Sequence, residues 1–157
     1  MLKANIGLTN QQVSEVVQLL NKTLADEAVL YSKTRNYHWN VTGSNFGQLH
    51  KLFEDQYNEI AELADSIAER TRQLGHFAVG TLSGLLKLTN LLEGQDIPDD
   101  SAMIQNLLDD HETIIRILRK NIDKVSTKLK DQGTADFLTG VIEAHEKIAW
   151  MLRSHVK

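Results

Sequence analysis

An all-α fold, four long helices bundled together with one long crossover, is what the 157-residue sequence predicts. Three observations carry that expectation. Apolar residues recur at helical steps through four long segments. One proline and nine glycines are too few to punctuate the hairpins of an all-β sandwich or barrel. The connections run short, long, short, at about six, about 25 and about four residues; short links make antiparallel neighbours and a long one crosses the bundle.

The first helix opens at Thr9, followed three residues later by Gln12, the spacing of a capping box. Val13, Val16, Val17, Leu20, Leu24, Val29 and Leu30 then recur toward Tyr37, and Thr42-Gly43-Ser44-Asn45 breaks the pattern. The second helix runs from Asn45 to Leu74 on the stripe Leu49, Phe53, Tyr57, Ile60, Ala64 and Ile67, and Gly75 marks its end. Within the crossover, the stretch from Val79 to Leu92 holds one short extra helix, Leu82 to Leu88. Pro98 ahead of Asp99-Asp100-Ser101 starts the third helix, which spans Ala102 to Lys130 and stops at Gly133. Thr134 caps the fourth, whose stripe is Phe137, Leu138, Val141, Ile142, Ile148, Ala149 and Leu152. Residues 1–157 read as one domain, with no internal repeat or low-complexity tract.

Composition narrows the function classes. The chain has no cysteine, hence no disulfide framework, thiolate metal site or cysteine nucleophile. Seventeen Lys and Arg against 21 Asp and Glu give a net charge of −4, which argues against a basic nucleic-acid binder. No run approaches the roughly 18 apolar residues of a membrane span, and MLKANIGLTN lacks the apolar region of a secretory signal. A cytoplasmic protein without membrane contact is expected.

The second helix carries His50, Glu54, Asp65 and Glu69, two pairs at i, i+4 separated by an 11-residue step close to three turns. All four fall within about a quarter of the helix circumference. His38 stands just before the preceding turn. Two imidazoles and three carboxylates suit Fe(II), Mn(II) or Zn(II) rather than copper(I) or an iron–sulfur cluster. Yet Glu54 and Asp65 lie roughly 16 Å apart along the axis, whereas metal–ligand bonds are about 2.0–2.6 Å. One chain therefore cannot close both pairs on one ion. A two-fold contact between antiparallel second helices sets the His50/Glu54 end of one against the Asp65/Glu69 end of the other, giving two shared sites per dimer. The intrabundle Glu-x-x-His motif is absent, since Arg35, Gly47, Gln73, Leu108, Ile142 and Leu152 stand three residues before the six histidines.

Asn36-Tyr37-His38-Trp39-Asn40-Val41, then Phe46-x-x-Leu49-His50-x-x-Phe53-Glu54, then Asp65-x-Ile67-Ala68-Glu69-Arg70 and Leu74-Gly75 resemble the Dps miniferritin family. The likeness covers nearly the whole chain, including His145-Glu146-Lys147-x-Ala149-Trp150-Met151-Leu152-Arg153. It implies a ferritin-like bundle assembled into a hollow shell of twelve subunits. It implies Fe(II) oxidation, preferably by hydrogen peroxide, at ferroxidase centres shared between subunits, with ferric mineral stored inside. His38, His50 and Glu54 would come from one subunit and Asp65 and Glu69 from its two-fold mate. Asp or Glu both occur at the Glu54 position of the family, and His76 departs from a frequent Gly. By the same resemblance Asp131 and Asp136 flank acidic pores for iron passage; a solvated turn is the alternative. Trp39 is a candidate electron donor, with interface packing as the alternative, and zinc is a candidate competitor for the metal site.

Family members that condense DNA use basic terminal tails. Here Lys3 is the single basic residue before the first helix, and Arg153 and Lys157 end the chain. Weak or absent DNA binding is expected, with Arg116, Arg119, Lys120, Lys124, Lys128 and Lys130 read as a solvated face making intersubunit ion pairs. His145 falls on an apolar stripe and reads as a core histidine. Asp109-Asp110-His111-Glu112 reads as solvated surface, because helical neighbours splay apart. The competing functions are a DNA-protecting structural shell with vestigial or zinc-occupied sites, and a metal-free monomeric bundle.

Overall fold

The computed structural model describes residues 4–94 and 96–156; Lys3 and Lys157 lie outside them. Regular structure among the described residues is entirely helical: α1 (Asn10–Asn40), α2 (Phe46–Gln73), α3 (Leu82–Leu88), α4 (Asp100–Asp123) and α5 (Gln132–Arg153). A π-helical turn, Lys124–Lys128, continues α4. Helices α1 and α2 pack as one antiparallel pair, α4 and α5 as another, and α3 lies against α1.

Local chemistry accounts for the boundaries. Thr9 accepts from the Gln12 backbone N–H while the Gln12 side chain reaches back to the Thr9 N–H, the reciprocal capping box read from sequence. Helix α2 ends in a Schellman arrangement: Gly75 N–H donates to the Arg72 carbonyl and His76 N–H to that of Thr71. Gly75 has φ +84°, a conformation that penalises any Cβ. Asp99 caps α4 through the Ala102 N–H.

Two expected boundaries change. The α-helical pattern ends at Asp123, and the chain leaves the π turn through Lys130 at φ +58°, not at Gly133. The cap of α5 is Asp131, whose side chain accepts from Thr134 N–H, so Thr134 is the recipient of the cap. Side-chain periodicity runs through a π turn, which hides it from a sequence reading.

The core runs the length of the bundle. Val16, Leu20, Leu30, Phe53, Ile60, Ile67, Leu107, Leu118 and Ile148 are fully buried, each worth about 1.5–3 kcal/mol of apolar transfer. Two positions of the expected α2 stripe, Tyr57 and Ala64, are only half-buried, and Gln56 is buried. The crossover is tied down by two α1 side chains. Asn21 accepts from Val79 N–H. Buried Asp26 accepts from the Thr89 hydroxyl, the Asn90 backbone N–H and the Asn90 amide. Between the pairs, Lys33 of α1 meets Asp110 of α4, and Asn106 donates to the Tyr37 hydroxyl.

Candidate metal centre

His38 closes α1 and His50 opens α2, and the turn between them folds the two rings face to face, centroids 3.8 Å apart and 20° from parallel. Each ring holds the other's backbone: His38 Nδ1 lies 2.8 Å from the His50 carbonyl, and His50 Nδ1 lies 2.8 Å from the His38 carbonyl. A carbonyl only accepts, so both Nδ1 atoms carry the proton and both lone pairs reside on Nε2. That is the tautomer a metal-binding imidazole uses, with the Nδ1–H···O=C bond fixing the ring. His38 is buried and His50 half-buried, with the Phe46 ring stacked on it at 5.1 Å.

Glu54 lies one turn beyond His50, half-buried, its carboxylate 3.2 Å from the exposed Lys51 ammonium. Asp65 and Glu69 are exposed further along the same helix. The single chain thus brings His38 and His50 together and leaves Asp65 and Glu69 about three turns away. Among the described residues no group of three His, Cys, Asp or Glu side chains within one chain is placed to hold a metal ion. Trp39 is 62% exposed, with the Arg35 guanidinium 4.8 Å from its ring centroid.

The two pore candidates differ in environment. Asp131 is buried; one carboxylate oxygen takes Thr134 N–H and the Arg70 guanidinium, the other the Thr134 hydroxyl. It anchors the α2–α5 junction. Asp136 is exposed on α5.

The chain matches the ferritin-like domain model over residues 17–157. It is 48% identical to a low temperature-induced protein of Nostoc, over the whole of this chain and 88% of that protein. It is 35% identical to DNA protection during starvation protein 2 of Bacillus anthracis, over 89% of this chain and 95% of the relative. The crystal structure of the Dps protein from Vibrio cholerae O1 superposes with a TM-score of 0.92 at 32% identity, covering 100% of this chain and 98% of that one. This chain belongs to the Dps branch of the ferritin-like family.

The centre of this Dps bundle is polar. Glu27 of α1, Gln56 of α2, His111 of α4 and His145 of α5 are all buried. His145 Nε2 lies 2.8 Å from Glu27 Oε1, and the Nδ1 atoms of His145 and His111 are 2.8 Å apart. A carboxylate accepts, so His145 Nε2 donates. Burial, reinforced by the neighbouring His145, pushes the His111 pKa well below 6.5. His111 is therefore neutral at physiological pH, and a single proton bridges the two facing Nδ1 atoms. Glu27 Oε2, His111 Nε2 and the Gln56 amide have no partner among the described residues.

The core placement of His145 matches its reading from sequence, but His111 is fully buried and not solvated surface. Its α4 neighbours do splay: Asp109 is exposed and Asp110 turns to Lys33. Apolar periodicity does not single out Glu27 or Gln56. The available signal is interruption, since Glu27 sits midway between Leu24 and Leu30, and Gln56 between Phe53 and Ile60. Three of the six basic residues read on the third helix have partners within this chain: Arg119 with Glu146, Lys124 with Glu15 at 3.0 Å, and Arg116 with Glu112 at 4.0 Å.

Proposed function

We propose that this Dps chain binds and oxidises Fe(II) at centres shared between two subunits and stores the ferric product inside a twelve-subunit shell. The observation that carries this reading is the reciprocal Nδ1–H···O=C pair of His38 and His50, which leaves two fixed imidazoles with Nε2 lone pairs beside Glu54. Such a pair, with one carboxylate, is half of a ligand set. Asp65 and Glu69, exposed on the same helix, are the matching half when a second α2 runs antiparallel.

Iron is substrate and cargo here. Imidazole and carboxylate donors bind Fe(II), and carboxylates stabilise the Fe(III) product. With peroxide as oxidant, two Fe(II) and two protons reduce one H2O2 to two waters. This route avoids the hydroxyl radical that a single Fe(II) releases. The Vibrio cholerae relative is described as a ferritin-like diiron-carboxylate protein, and other relatives as DNA protection during starvation proteins, which supports iron chemistry and protection of DNA as the general role. Zinc suits the same donors and competes for them. DNA contact is weak: the net charge is −4, and three cations of the third helix are already paired within the chain. The chain acts as one ferritin-like domain in the cytoplasm; no described helix is long and apolar enough to cross a membrane.

The test mixes the assembled protein with Fe(II) and hydrogen peroxide at two irons per peroxide. Fast oxidation is expected from a particle of twelve-fold the 17.7 kDa chain mass. Asp65→Asn with Glu69→Gln should bring oxidation down to the buffer rate without changing that mass. Oxidation no faster than buffer in the unaltered protein would leave a structural shell, and a 17.7 kDa particle would exclude a shared centre.

A further inference from the structure

The polar layer at the bundle centre has unused hydrogen-bonding capacity. The Gln56 amide uses neither its oxygen nor its nitrogen, and His111 Nε2 has no partner among the described residues, although the two residues are only 2% and 0% exposed. Buried polar groups of native proteins nearly all find a partner, in the protein or in ordered water. The helix register sets these two opposite each other. Tyr31 of α1 meets Tyr57 of antiparallel α2, so Gln56 is level with Ser32. Tyr37 meets Asn106 and Lys33 meets Asp110, so α4 also runs antiparallel to α1 and His111 is level with the same Ser32. Helices α2 and α4 stand diagonally across the bundle, each beside α1 and α5. Gln56 and His111 thus enter one layer of the core from opposite corners.

His111 turns its Nδ1 to His145. The two nitrogens of an imidazole diverge, so Nε2 faces away from His145. One turn to either side, Phe53 and Ile60 of α2 and Leu107 and Ile114 of α4 are fully buried. These apolar rows close the layer to solvent, so whatever joins Gln56 to His111 is small and trapped. A divalent cation is a poor occupant, because one imidazole nitrogen and one neutral amide leave it short of ligands and of charge. Among the described residues no three His, Cys, Asp or Glu side chains converge to hold one. Water fits the groups present. It donates twice and accepts twice, and it matches an amide that offers both a donor and an acceptor.

We propose that the bundle centre is a closed binding site for one water molecule, held between His111 Nε2 and the Gln56 amide, and that this water selects the protonation state of the His111–His145–Glu27 chain. When the water donates to His111 Nε2, the His111 proton sits on Nδ1 and is donated to His145 Nδ1, and His145 is neutral. When the water turns to accept from His111 Nε2–H, His111 Nδ1 becomes the acceptor. His145 then carries protons on both nitrogens and faces Glu27 as an imidazolium. His111 is neutral in both states, and one proton separates them. The Gln56 amide serves either orientation of the water. Glu27 from α1 and His145 from α5 are the titratable groups facing His111, α2 adds only neutral Gln56, and the nearby Lys33–Asp110 pair is closed on itself. The site does not depend on whether His38 and His50 hold iron.

The experiment pairs a crystal structure of the assembled protein with solid-state NMR of the same particle labelled with 15N-histidine, His111→Gln supplying the assignment. One isolated density peak without anomalous scattering is expected at hydrogen-bond distance from both His111 Nε2 and the Gln56 amide. Proton transfer from water to His111 Nε2 should be seen in the spectra. Gln56→Leu, of similar size and apolar, should lose the peak, weaken that transfer several-fold and shift the His111 and His145 nitrogen resonances, with particle mass and helix content unchanged. The unaltered protein decides the site even if Gln56→Leu fails to assemble. No peak there, a direct Gln56–His111 hydrogen bond, or a peak with the anomalous signal of a metal would overturn it. A peak that survives Gln56→Leu would overturn the role of Gln56, and nitrogen resonances that stay put when the peak is lost would overturn selection of the protonation state.

Discussion

His145→Leu tests the buried polar centre most sharply. His145 supplies the one hydrogen bond that Glu27 receives among the described side chains, and both residues are fully buried. Removing the imidazole leaves a carboxylate in the core with neither oxygen partnered. Breaking a buried charged pair in this way costs about 3–5 kcal/mol. The facing His111 Nδ1 loses its hydrogen-bond partner as well, which adds about 1–3 kcal/mol. Against a typical folding free energy of about 5–15 kcal/mol, the variant should be barely stable. Glu27→Leu combined with His145→Leu removes the buried charge along with its partner, so it should be more stable than His145→Leu alone, a reversal characteristic of buried ion pairs. The assay is urea unfolding at one fixed protomer concentration, because assembly makes apparent stability depend on concentration. A cost below about 1 kcal/mol for His145→Leu, or a double variant less stable than the single one, would refute the assignment of Glu27 as a buried carboxylate held by His145.

Three further outcomes are expected. Because His111 is held below its ordinary pKa of 6.5, the unfolded chain takes up a proton that the folded chain refuses. Stability should be full above pH 6.5 and fall as pH drops below it, by up to about 1.4 kcal/mol per unit for one proton, with a shallower fall in His111→Gln when unfolding is titrated by denaturant. Asp26→Ala strips three hydrogen bonds from the crossover, so amide exchange around Val79–Leu91 should speed up while the α4–α5 pair stays protected, at a cost of about 2–4 kcal/mol. Asp131→Ala loses the α5 cap and the Arg70 anchor and should cost about 1–2 kcal/mol in thermal unfolding, whereas Asp136→Ala, at an exposed site, should stay within about 0.5 kcal/mol of the parent.

Much of this protein is local, and local chemistry is legible in a sequence. Thr9 with Gln12, Gly75, and Asp99 behind Pro98 set helix ends because a cap satisfies backbone groups within a few residues of itself. The four apolar stripes and the short, long, short connections determined the bundle and its crossover. The metal candidates were also visible, since i, i+4 spacing on a helix is a distance. What the sequence could not decide depends on which faces meet. Tertiary packing turned His38 and His50 into a reciprocally locked pair, because the carbonyls that fix their tautomers belong to the opposite helix. Packing also buried His111, brought Arg70 of α2 to Asp131, and gathered Glu27, Gln56, His111 and His145 from four helices into one core. A polar residue on an apolar stripe is identical in sequence whether it finds a partner or not. Only the approach of another helix, with its donor at hydrogen-bond distance, settles which it is.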